Sequence, residues 1–119
     1  MEEQPIKNII ENQLVSFDEF KKLDIRIGKV ISVENHPQAD KLYVLKIDIG
    51  TDVKQSVAGL RPYLAPDQLQ NKLVVVITNL QPVVLRGVES QVMILAASSN
   101  NEVVILSPVK ELPAGSRIS

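Results

Sequence analysis

The chain has 119 residues and a mass of 13.2 kDa, with 45% hydrophobic and 23% charged residues, enough for one core and too few for a two-domain enzyme. It holds no cysteine and a single histidine, His36, which excludes a disulfide framework, a thiolate nucleophile and a Cys-ligated or His-rich metal site. The formal charge of −1 is unevenly spread: residues 1–20 carry five acids against one lysine (net −4), and residues 21–86 carry ten basic against six acidic side chains (net +4). Such an excess supports a polyanion site only if the cations share a face.

In the N-terminal segment Ile6, Ile9, Ile10 and Leu14 recur at i, i+3, i+4 and i+8, the stripe of a helix with one apolar face, so residues 1–16 are expected to form a helical arm. The start has no apolar leader, and the longest apolar run, Val92 to Ala97, is far below a membrane span, so a cytoplasmic protein without membrane association is expected. Ser16-Phe17-Asp18-Glu19 has capping-box spacing, which predicts a short helix from Phe17. From Ile25 the apolar period changes to two. Gly28 interrupts this first strand and predicts a bulge, and His36-Pro37 ends it. Alternation over Tyr43 to Ile49 predicts a second strand, Gly50-Thr51-Asp52 a turn, and Val53 to Ala58 a third strand. A short helical connection is expected over Asp67 to Gln70, followed by a fourth strand, Leu73 to Ile77, buried on both faces. Val92 to Ala97 and Glu102 to Leu106 read as further strands about a polar turn, Ser98 to Asn101. This order is that of an all-β protein, a five-stranded Greek-key barrel of the OB-fold type with a short N-terminal helical arm and extra C-terminal strands; a β-sandwich is the alternative. Residues 17–119 would form the barrel domain.

Catalytic chemistry has little to stand on. His36 and Asp40 in the loop Asn35 to Lys41 are the one candidate acid/base pair, and nothing in their spacing brings the side chains together. Val57-Ala58-Gly59-Leu60 and Leu85-Arg86-Gly87-Val88 match neither a phosphate loop nor a dinucleotide fingerprint. No catalytic residue, metal or cofactor is expected. The four aromatic residues, Phe17, Phe20, Tyr43 and Tyr63, do not make a base-stacking platform. A nucleic-acid ligand would therefore be read through backbone and shape, as folded or double-stranded RNA is. Met93 is expected in the core, and Gly28, Gly59 and Gly87 are expected to serve backbone geometry.

The runs Phe20 to Val30, His36-Pro37-Gln38-Ala39-Asp40-Lys41-Leu42-Tyr43, Val57 to Leu60, Asn79-Leu80 and Leu85-Arg86-Gly87-Val88-Glu89-Ser90-Gln91-Val92-Met93 together resemble the tRNA-binding domain found at the end of methionyl-tRNA synthetases. Similar domains occur as free-standing tRNA-binding proteins, in cytokine-related synthetase cofactors and in CsaA-type chaperones. The resemblance covers about residues 17–119, including the closing segment Glu111 to Ile118, and implies an OB barrel that binds the outside of tRNA near its elbow. Carried over by position, the tRNA-facing residues would be Lys29, Lys41, Asn79, Arg86 and Ser90. The implied partners are tRNA, a second copy of the chain in a homodimer, and methionyl-tRNA synthetase as the enzyme it would serve as accessory subunit. Two departures, Val92 where the family usually has glycine and Val83-Val84 where it often has basic residues, point toward the CsaA-like members, for which an export-associated chaperone role with unfolded polypeptides is the alternative.

Overall fold

The computed structural model describes residues 13–119, so the arm expected over residues 1–16 lies, apart from its last four positions, outside the described residues. Ser16 and Glu19 form the expected capping box: Ser16 Oγ accepts the Glu19 amide at 3.0 Å, and the Glu19 carboxylate accepts the Ser16 amide at 3.0 Å. Between them they satisfy two amides that a helix start leaves free, and they open the helix α1 (Phe17–Lys21).

Five antiparallel strands make the barrel. β1 (Ile25–Asn35), β2 (Tyr43–Asp48) and β3 (Val53–Ala58) form a meander, and β4 (Leu73–Ile77) lies on the other side of β1. After β4 come the hairpin β5 (Val83–Leu85) and β6 (Val88–Ser90), then β7 (Met93–Ile94), which pairs with β4 and completes the order β3-β2-β1-β4-β7. A 3-10 turn, Pro66–Gln68, joins β3 to β4 and places the fully buried Leu69 in the core with Val30, Leu45, Ile47, Val74, Val76 and Val92. The seam between β3 and the β6–β7 segment is closed by the Gln91 amide donating to the Gln55 carbonyl at 2.7 Å and the Val57 amide donating to Ser90 Oγ at 2.9 Å. This is an OB-type barrel, and the sandwich alternative falls away. The C-terminal additions are the hairpin β8 (Ala96–Ser99) and β9 (Glu102–Ile105), and β10 (Arg117–Ile118), which pairs with the start of β1.

Several expectations need correction. The bulge in β1 lies between Val30 and Ser32, not at Gly28. With Ile31 as the extra residue, Val30 and Val33 face Ile47 and Leu45, so both reach the interior although three positions apart. Gly28 is there for space: a Cβ on it would stand 2.7 Å from Ile47 Cγ2. The single strand expected over Val92 to Ala97 is two, β7 paired with β4 and β8 paired with β9, with a break at Leu95. Val92 is core, whereas Met93 is 44% exposed. Ser98 and Ser99 belong to β8, and the turn is Asn100-Asn101, with φ of 49° and 68°, left-handed values that asparagine tolerates better than most residues. Gly59 has a negative φ or an extended one and open space around it, with only Leu42 Cδ2 near, at 3.9 Å, so backbone geometry does not require it. Finally, β4 is fully buried only on its Val74 and Val76 side.

Candidate nucleic-acid interface

The β1–β2 loop and the β5–β6 hairpin meet through His36. Its ring is 3% exposed; Nδ1 accepts the Gln38 amide at 2.9 Å, so the proton of the neutral ring sits on Nε2, which donates to the Leu85 carbonyl at 2.9 Å. Its backbone amide donates to the Leu42 carbonyl at 3.1 Å and closes the base of the loop. Pro37 assists by holding His36 extended, away from helical backbone. The imidazole thus has both nitrogens engaged inside the fold and is not paired with Asp40, which removes the one acid/base candidate from catalytic consideration.

The five sequence-predicted contact residues separate into three kinds of position. Lys41 and Arg86, both exposed, are brought to the same end of the barrel by the His36 link. Lys29 is exposed on the outer face of β1, opposite Asp48, roughly 20 Å along the strand from His36. Lys46, on the same outer face, donates to Gln55 Oε1 at 2.6 Å. Asn79 is engaged in the fold: Oδ1 accepts the Asp24 amide at 2.8 Å and Nδ2 donates to the Lys22 carbonyl at 2.6 Å, pinning the α1–β1 connection to the end of β4. Ser90 is 8% exposed; besides accepting the Val57 amide it donates to the Val92 carbonyl at 3.3 Å. Its hydroxyl replaces a ladder bond at the seam.

Arg26 is also withdrawn from the surface cations. Its guanidinium meets the Asp24 carboxylate twice, Nε to Oδ1 at 3.0 Å and Nη2 to Oδ2 at 2.9 Å, and reaches the Ile49 carbonyl at 3.2 Å. This hydrogen bonding holds the Asp24 carboxyl below the usual carboxylate range, against the opposing effect of burial, and raises the Arg26 pKa. Arg117 on β10 approaches the same carboxylate at 3.6 Å. The positive middle segment is therefore partly structural.

Beside the Arg86 hairpin lies a groove of about 430 Å³, bordered by Gly59 and Leu60 on one side and by Leu80, Val83, Leu85 and Met93 on the other. The sequence marks one wall of it, the apolar stretch Val83 to Leu85 that stands where the family often has basic residues. Its walls come from three separate stretches, residues 56–60, 80–85 and 90–96, and the hairpin that contributes to two of them was not among the expected strands. The signal available was Arg86-Gly87 directly after the apolar run Val83 to Leu85, a two-residue turn with φ of 51° and 88°. Among the described residues no cluster of His, Asp or Glu is arranged to hold a metal ion, and no helix is long and apolar enough to cross a membrane.

The pattern of a known family, "Putative tRNA binding domain", matches residues 25–117, the whole of the barrel from β1 to β10. The chain belongs to the tRNA-binding domain family. It is 51% identical over 106 residues to methionine--tRNA ligase of Pyrococcus furiosus and 55% identical over the same length to that of Thermococcus kodakarensis, in each case over 89% of this chain. The chain spans only about 15% of the length of those ligases. Among solved structures, it superposes on a MetRS-related protein from Pyrococcus horikoshii with a TM-score of 0.83 at 31% identity, covering 89% of this chain and 98% of that one. The chaperone CsaA from Bacillus anthracis gives a TM-score of 0.80 at 34% identity, covering 89% and 99%.

Proposed function

We propose that this chain is a non-catalytic module that binds folded tRNA through its phosphate backbone, acting in the cytoplasm as a homodimer beside methionyl-tRNA synthetase. The observation that carries the reading is the pairing of the Lys41 loop with the Arg86 hairpin at one end of a barrel whose family is a tRNA-binding domain. Lys41 and Arg86 contact phosphates directly, and Lys29 extends the track along the outer face of β1. Asn79 and Ser90 act through the backbone they hold. In this reading residues 17–119 are the binding unit.

With roughly three to four phosphate contacts, the slope of log affinity against log salt should be about −3. Fluorescence anisotropy with folded tRNA, a linear RNA of equal length and an unfolded polypeptide tests the reading directly. Tight, salt-dependent binding to tRNA alone is the expected result; equal affinity for the linear RNA, or a slope near zero, would reject it. The apolar groove supports a second reading, in which the chain holds unfolded polypeptide as a CsaA-like chaperone, and the third ligand in the same experiment decides it.

A further inference from the structure

We propose that His36 is a positioning residue that locks Lys41 and Arg86 into a single phosphate-binding clamp, an inference that rests on the tRNA reading above. Each cation is one residue from a carbonyl held by His36: its backbone amide holds that of Leu42, next to Lys41, and its ring holds that of Leu85, next to Arg86. One buried residue thereby sets the position of both cations relative to each other. The β5–β6 hairpin is a two-stranded sheet of its own; its β6 strand is tied to β3 through Ser90 and the Glu89 carbonyl, and the His36 ring ties down the end of β5 that leads into Arg86.

The backbone at Arg86 supplies an independent argument. A two-residue turn with both φ values positive is best served by Asn-Gly or Gly-Gly. Arginine at φ 51° carries a conformational penalty that the turn itself does not need. The cation is kept at a position where the backbone disfavours it, and the His36 ring bonds to the carbonyl immediately before it. A cation carried on an anchored backbone loses less freedom on meeting a phosphate than one whose backbone must also be ordered.

Two substitutions separate the functions of the ring. Asparagine places an oxygen near the position of Nδ1 and keeps the Gln38 contact while losing Leu85; glutamine places an N–H near Nε2 and keeps Leu85 while losing Gln38. His36→Asn should weaken tRNA binding about tenfold and make the salt slope shallower by about one, matching Arg86→Ala, and the double variant His36→Asn/Arg86→Ala should be no weaker than Arg86→Ala by more than about twofold. His36→Gln should stay within about threefold of the unsubstituted chain. A histidine with only a structural role would lower the melting temperature in both variants without separating their salt slopes. If either variant does not fold, the cycle of Lys41→Ala and Arg86→Ala is the second measurement: a clamp requires that their losses do not multiply. Unchanged affinity in His36→Asn, or multiplying losses in either cycle, overturns the proposal while leaving tRNA binding intact. Absence of tRNA binding by the unsubstituted chain overturns the reading and the clamp together.

Discussion

Gly28 and Gly59 show how differently one residue type can be held in place. Gly28 lies across from Val74 on β4, and its missing side chain is what allows Ile47 and Val76 to close over β1. The methyl that an added Cβ would meet, at 2.7 Å, belongs to the fully buried, β-branched Ile47, which has few rotamers to retreat into. Gly28→Ala should therefore destabilise the fold by about 1–3 kcal/mol, the usual cost of overpacking a filled core. Gly59 meets nothing closer than 3.9 Å, so Gly59→Ala should leave stability within about 0.5 kcal/mol or raise it slightly by restricting the unfolded chain. Urea unfolding of the two variants side by side checks the contrast. Equal losses would mean that space around the glycine is not what decides its cost.

The latch between β10 and β1 is held by Asp24, Arg26 and Arg117, and it should be sensitive to acid. Arg26 keeps the Asp24 carboxyl ionised below the ordinary carboxylate value in the folded chain. A lowered native pKa contributes stability above the unfolded value, about 3.9, and the contribution disappears as the pH falls through that value toward the native one. Asp24→Asn should thus lower the melting temperature near neutral pH, by about 4 °C, and the gap to the unsubstituted chain should shrink below about pH 4. Circular dichroism melts across pH 2–7 would show it; a gap independent of pH would mean that the latch is not electrostatic.

The alternating runs that became β1 and β2 were legible in the sequence because a buried face and an exposed face leave a period of two, β3 was legible from the Gly50-Thr51-Asp52 turn before it, and the helix start was legible because its cap is local. The bulge at Ile31 was not, since a β-branched residue looks the same in a bulge as in a ladder. Hairpin β5–β6 escaped because arginine is an unusual residue for the first position of its turn. Asn79 and Ser90 entered as contact residues through the family resemblance alone; their partners Asp24 and Val57 lie 55 and 33 positions away, and no local pattern encodes a hydrogen bond of that span. The loop that brings Lys41 to Arg86 was visible as a His-Pro turn; that its histidine reaches across to the hairpin, 49 positions on, was not.

A barrel of this size has one core, and that core leaves a cluster of large apolar side chains uncovered around the groove. Val83 is 51% exposed and Met93 44%, with Leu80 and Leu85 beside them. Their position next to the cationic hairpin would give a dimer a use beyond coverage, because a two-fold axis at the groove would set two Lys41–Arg86 clamps at a fixed separation on one RNA. A specific interface needs about 800 Å² from each partner, with its central contacts apolar and well packed, and a charge placed there is strongly disfavoured once desolvated. Sedimentation at roughly ten micromolar, the range in which a micromolar dissociation constant is readable, should give a dimer for the unsubstituted chain. Val83→Glu and Met93→Glu should each raise the dissociation constant at least tenfold while leaving the thermal melt of the barrel nearly unchanged, since both side chains are already in contact with solvent. If the variants sediment as the unsubstituted chain does, the groove is not the interface. If the unsubstituted chain is itself a monomer, two linked clamps cannot be the basis of tRNA affinity, and each barrel must bind alone.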